Sequence, residues 1–114
     1  MTDRRRALGA RGEALAAEWY EARGYTVVAR NWRCREGELD LVLARGRDVV
    51  ICEVKTRTSN AYGTPAEAVT RTKQLRLRRL AMRWLDEQEV RPGPMRFDVA
   101  CVMGTTVVVI EAAF

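Results

Sequence analysis

Histidine is absent from the 114 residues. That removes the commonest general base and the commonest transition-metal ligand, so any chemistry must run on carboxylates, Lys, Tyr, Ser/Thr or bound water. Cysteine is scarce. Cys34, Cys52 and Cys101 are an odd set without CxxC or Cys/His spacing, which indicates neither a disulfide framework nor a zinc site. They read as reduced thiols, two of them in strands. No apolar run is long enough to span a bilayer, and the charged start from Met1 to Arg6 is not followed by a hydrophobic stretch. The expectation is a cytoplasmic protein without a membrane partner. Internal repeats and low-complexity segments are missing too, and the length suits one core, so residues 1–114 read as a single domain.

What is abundant is positive charge. Twenty Lys+Arg against fifteen Asp+Glu leave a formal net charge of +5, and Arg heavily outnumbers Lys. Guanidinium groups make bidentate, permanently charged contacts to phosphate, so the expected partner is nucleic acid, DNA ahead of RNA. Arg-favouring codon usage is the bland alternative.

From about Ala7 to Arg23, Leu8, Leu15, Trp19 and Ala22 recur at helical spacing, and Gly24 supplies a stop. Tyr25 to Asn31 reads as a strand ending in the polar segment Arg33 to Gly37. Glu38 to Leu43 alternates, with Leu39, Leu41 and Leu43 on one face and Glu38, Asp40 and Val42 on the other. The turn Arg45-Gly46-Arg47-Asp48 leads into a third strand, Val49 to Lys55. After a polar loop, Thr64-Pro65-Ala66-Glu67 has capping-box spacing, and a second helix runs to about Glu87, with a restart at Thr70 as the other reading. Its stripe is Val69, Leu77, Leu80, Ala81 and Trp84. Arg91-Pro92-Gly93-Pro94 breaks the chain before a final β pair, Met95 to Met103 and Thr105 to Glu111. A short turn favours an antiparallel hairpin and a helical crossover favours a parallel return. The expected fold is therefore α/β, a mixed central sheet flanked by helices in the order α-β-β-β-α-β plus one strand.

The chemistry concentrates on the third strand. Glu53 and Lys55 lie two apart, so both project from one face, where they end the buried stripe begun by Val49 and Ile51. Charges seldom sit there unless paired or functional. Pairing through the Arg45–Asp48 turn brings Asp40 near Glu53, within an expected 4–6 Å or so, where charges perturb each other strongly. Two such carboxylates repel unless a cation bridges them, and hard oxygen ligands select Mg²⁺ or Mn²⁺. The backbone carbonyl of Val54 is a further candidate ligand. Lys55 would orient water and stabilise negative charge on a phosphate. The bland alternative is a structural salt bridge.

Gly37-Glu38-Leu39-Asp40-Leu41-Val42, then Glu53-Val54-Lys55-Thr56-Arg57, then Arg96-Phe97-Asp98-Val99 resemble the UPF0102 (YraN-like) family over nearly the whole chain. That family is similar to the archaeal Holliday junction resolvases and the PD-(D/E)xK restriction-endonuclease-like superfamily, whose core order matches the one above. The resemblance implies a Mg²⁺- or Mn²⁺-dependent endonuclease on DNA, with branched or single-stranded structures as the expected substrates. By motif position, Asp40 corresponds to the lone acid, Glu53 and Lys55 to the ExK pair, and Glu13 to an acid on the first helix. The usual Pro before the first Asp is replaced by Leu39. Lys73 and Gln74 stand where related nucleases steady phosphate or water, and Arg57, Arg71 and Arg76 are candidate backbone contacts. Glu38 reads as an outer neighbour, and Asp98 as a buttress or cap. The rival is a nucleic-acid-binding adaptor with an idle acidic pocket; cutting two strands symmetrically would call for a homodimer.

Overall fold

The computed structural model describes residues 3–58, 69–89 and 93–114. In chain order these form α1 (Asp3–Glu21), β1 (Thr26–Cys34), β2 (Gly37–Arg45), β3 (Asp48–Arg57), α2 (Arg71–Asp86), β4 (Met95–Met103) and β5 (Thr106–Ile110). The strands lie in sequence order in one five-stranded sheet. Only the β3–β4 neighbours are parallel, because α2 carries the chain between them; the other three pairs are antiparallel. The α/β class, the mixed sheet and the α-β-β-β-α-β order are those read from the sequence.

Among the described residues, two of the three two-residue hairpin loops begin with glycine. Gly46 and Gly104 occupy their first positions at φ 61 and 62, a left-handed conformation glycine adopts without strain. The first expected strand runs longer than anticipated. It continues to Cys34, paired with Gly37, because Trp32 faces Leu39 and Arg33 forms a 2.6 Å ion pair with Glu38 across the ladder. Only Arg35 and Glu36 are left to turn.

Each face of the sheet carries its own core. Leu77, Leu80, Ala81 and Trp84 of α2, with Val69, bury against Leu39, Val42, Val49, Ile51, Phe97 and Val99. On the other face Ala16, Ala17 and Tyr20 of α1 bury against Leu41, Leu43, Val50, Cys52, Ala100 and Val102. The stripe expected of α2 is the one observed. That of α1 is met in part: Leu15 and Trp19 are half-buried against this core, Leu8 and Ala22 are exposed, and the fully buried positions are Ala16, Ala17 and Tyr20. The alternation expected of β2 also breaks. Leu39 joins Val42 under α2, whereas Leu41 and Leu43 lie under α1. The break falls at Asp40, opposite Asn31 of β1, whose φ of 49 interrupts that strand's regular twist.

Thr70 caps α2, its side-chain oxygen accepting from the Lys73 amide at 3.2 Å, which selects the restart reading. The Thr64–Glu67 capping spacing lies outside the described residues. Among those described, no helix is long and apolar enough to cross a membrane.

Candidate metal centre

The β2–β3 ladder is regular from Arg45↔Asp48 to Leu41↔Cys52, and Asp40 and Glu53 stand one step beyond its last pair. There a side chain replaces a backbone bond: Asp40 Oδ2 accepts from the Val54 amide at 2.8 Å. This fixes the carboxylate at the mouth of the hairpin, where it also shares a side-chain hydrogen bond with Glu53.

One proton resolves the conflict between them. Burial, then the hydrogen bond and charge of Glu53, push the Asp40 carboxyl up to about 9, far above the ordinary carboxylate range. Burial works against the Glu53 carboxylate as well. Its hydrogen bonds with Asp40 and Lys73 and the charges of Lys73 and Lys55 outweigh that, holding its pKa below the usual value. Near neutrality Asp40 is therefore protonated and Glu53 ionised. The only two lysines of the chain converge on Glu53, Lys73 Nζ at 2.7 Å and Lys55 Nζ at 3.9 Å. Burial, and then Lys73, lower Lys55 to about 8. Lys73, although burial opposes its charge, is raised by Glu53.

On the other side of Asp40 further acids gather, Glu38 among them with its 2.6 Å ion pair to Arg33. Carboxylate oxygens of Glu13, Glu38 and Asp40 all lie within 4.8 Å of one another. Burial raises the pKa of Glu13, opposed by a hydrogen bond with Asn31, and the charges of Glu38 and Glu53 raise it further. Glu13 arrives there because α1 touches the end of β3. A Cβ on Gly12 would sit 2.0 Å from Thr56 Oγ1, so only glycine permits that approach. A cleft of about 230 Å³ opens onto the group, lined by Glu38, Asp40, Glu53, Lys73 and Arg76.

Asp40, Glu53, Lys55, Glu13, Lys73 and Arg76 thus meet in one region, and Arg57 lines a groove with Glu13 and Lys55. Two expected residues do not reach it through a described contact. Gln74 turns back to donate to the Val69 carbonyl at 3.2 Å, and Arg71 is exposed at the start of α2. Glu38, taken from the sequence as an outer neighbour, is a full member of the acidic group. Asn31 was missed entirely. Its signal was faint: an Asn in a strand opposite an acid.

A family profile described as "Uncharacterised protein family UPF0102" matches residues 12–102, which include every acidic and lysine residue of the centre. The chain belongs to the UPF0102 family. A UPF0102 protein of Beutenbergia cavernae is 56% identical over 99 residues, covering 87% of this chain and 84% of that one. A UPF0102 protein of Frankia alni is 54% identical over 96 residues, with 84% and 80% covered. Another from Nocardia farcinica is 52% identical over 101 residues, with 89% and 80% covered. The UPF0102 match begins at Gly12, the glycine that lets α1 deliver Glu13.

Proposed function

We propose that this chain is a Mg²⁺- or Mn²⁺-dependent endonuclease that hydrolyses phosphodiester bonds of DNA, acting on branched or single-stranded structures in the cytoplasm. The observation that carries the reading is the meeting of three carboxylates within 4.8 Å beside a Glu53 gripped by both lysines. The donor set fits a hard divalent cation. All three groups are oxygen donors, and burial, then the hydrogen bond and charge of Glu53, disfavour an ionised Asp40 in a way that a cation would offset. The Val54 carbonyl lies on the same strand edge as the amide that Asp40 engages, which keeps it in reach as a further ligand. When bound, the cation would polarise the phosphate and acidify a water.

The chain's own groups do the rest. Asp40 and Glu13 would hold the ion, with Glu53, paired with Lys73 at 2.7 Å, as a further carboxylate of the ligand set. Lys55, at about 8, is a donor to phosphate oxygen near neutral pH, where it stabilises developing negative charge. Arg57, Arg71, Arg76, Lys73 and Gln74 are assigned to the nucleic-acid backbone. Two such centres in a homodimer would cut both strands of a duplex.

The second reading is an adaptor that binds nucleic acid and does not cut. The 2.7 Å Lys73–Glu53 pair favours it, since it neutralises part of the acidic group internally. Purified protein with Mg²⁺ or Mn²⁺ on duplex, flap, forked and four-way DNA separates the two. Cleavage abolished by Asp40→Ala and by Lys55→Ala is the expected result. Cleavage surviving both substitutions overturns the assignment, and binding without cleavage in every metal selects the adaptor.

A further inference from the structure

Two glycines of α1 differ in what surrounds them. Glycine inside a helix is destabilising relative to alanine, so each needs a reason. At Gly12 the reason is packing against Thr56. At Gly9 a Cβ would meet no atom of the described residues within 4 Å, so contacts among them supply none.

Gly9 lines two clefts. One, of about 690 Å³, lies between α1 and β1 and is lined by Arg6, Gly9, Glu13, Asn31, Arg33 and Glu38 among others. A second, of about 320 Å³, lies between α1 and the end of β3, with Gly9, Glu13, Lys55, Thr56 and Arg57 in its walls. Gly9 and Glu13 belong to both. The clefts thus share a wall of α1 where a side chain is missing, beside a carboxylate of the acidic group. Each has its own cations: Arg6 and Arg33 in the first, Lys55 and Arg57 in the second. Arg33 is steadied by Glu38 through Nε at 2.6 Å while its side chain is 76% exposed. That bond uses one edge of the guanidinium fork and leaves the terminal amino groups as phosphate donors.

We propose that a single strand of nucleic acid crosses α1 at Gly9, one phosphate held by Arg6 and Arg33 and a later one by Arg57, with Glu13 beneath the crossing. The proposal rests on the reading of Glu13, Glu38 and Asp40 as the reaction centre. Its own content is the strand's path, and it assigns Arg6, Arg33 and Gly9 a role in binding. Volumes of this size match small-ligand pockets, roughly 300–1,000 Å³, which suits nucleotides in file rather than the broad face of a duplex.

The test measures binding without catalysis: a short fluorescent single-stranded DNA, with EDTA present, against the intact protein and three variants. Gly9→Ala is expected to raise the thermal midpoint by roughly 4 °C, since an alanine there is unhindered. Gly9→Trp is expected to fold normally and lose about tenfold in affinity, because the ring fills the crossing. Arg6→Ala/Arg33→Ala is expected to bind more weakly and to lower the salt slope by about 0.7 per lost phosphate contact. A Gly9→Ala variant less stable than the parent makes the glycine structural and overturns the proposal, as does a Gly9→Trp variant with parental affinity. The two readings fail separately. Loss of binding in Gly9→Trp when no metal supports cleavage by the parent keeps the path and sinks the hydrolase; undiminished metal-dependent cleavage of single strands by Gly9→Trp does the reverse.

Discussion

Asp98 and Asp40 are both carboxylates withdrawn into the same sheet, and their neighbours give them opposite characters. Asp98 on β4 is fully buried, and both its oxygens are answered. Oδ2 accepts from the Tyr20 hydroxyl at 2.6 Å and Arg96 Nη2 at 2.9 Å; Oδ1 accepts from Arg96 Nε at 2.8 Å and the Ala112 amide at 3.0 Å. Ala112 takes a left-handed φ of 50 next to that bond. Asp98 thus ties α1, β4 and the segment after β5 together. Asp40 has one backbone donor and otherwise faces other acids. Burial of a carboxylate is therefore not itself a functional sign. The sign is a carboxylate whose surroundings leave its charge uncompensated.

The contrast is sharpest in stability. Asp98→Ala leaves Arg96 and the Tyr20 hydroxyl without their acceptor inside the fold, and the expected loss is about 3–5 kcal/mol in urea denaturation. A loss within experimental error would erase the distinction drawn here. Lys73→Met removes the 2.7 Å partner of a buried Glu53, and is expected to cost about 1.5–3 kcal/mol, measured the same way. Its Glu53 should also titrate at higher pH, visible in carboxyl-carbon NMR.

Gly12→Ala drives a methyl into Thr56 Oγ1, for an expected loss of about 1–3 kcal/mol. Combining it with Thr56→Ala should recover most of that loss, a coupling that a purely helical effect would not show.

Asp40→Asn is the smallest effect and has the opposite sign. The folded chain keeps the Asp40 proton up to about 9, whereas the unfolded chain releases it in the ordinary carboxylate range. Between those limits the native state binds more protons, so its stability falls as pH rises. Removing the charge should flatten that slope and stabilise the protein by roughly 1 kcal/mol or more at mildly alkaline pH. Urea midpoints across pH for parent and variant check it.

Local pattern carried much of this into the sequence. The two-residue loop at Gly46 sets the β2–β3 register, and register alone brings Asp40 beside Glu53. The stripe from Val69 to Trp84 likewise specified the buried face of α2. What stayed hidden depends on contacts distant in the chain. Glu38 looked peripheral because its importance lies in meeting Glu13, a residue on α1. Tyr20 gave no hint that its hydroxyl reaches Asp98, 78 positions away. The misplaced Leu39 follows from Asn31, whose left-handed φ no alternation rule anticipates. The apolar stripe read for α1 was incomplete: Leu15 and Trp19 do pack against the core, but the buried centre of that face is Ala16, Ala17 and Tyr20, and the alanines carry little hydropathic signal.

The metal centre is tested most directly by calorimetric titration of Mn²⁺ into the protein at neutral pH, in two buffers of different ionisation enthalpy. Because Asp40 holds a proton there, binding should release about one proton per ion, and Asp40→Asn should abolish both the heat and the release. Saturation without proton release, or equal binding by Asp40→Asn, would contradict a centre built on Asp40.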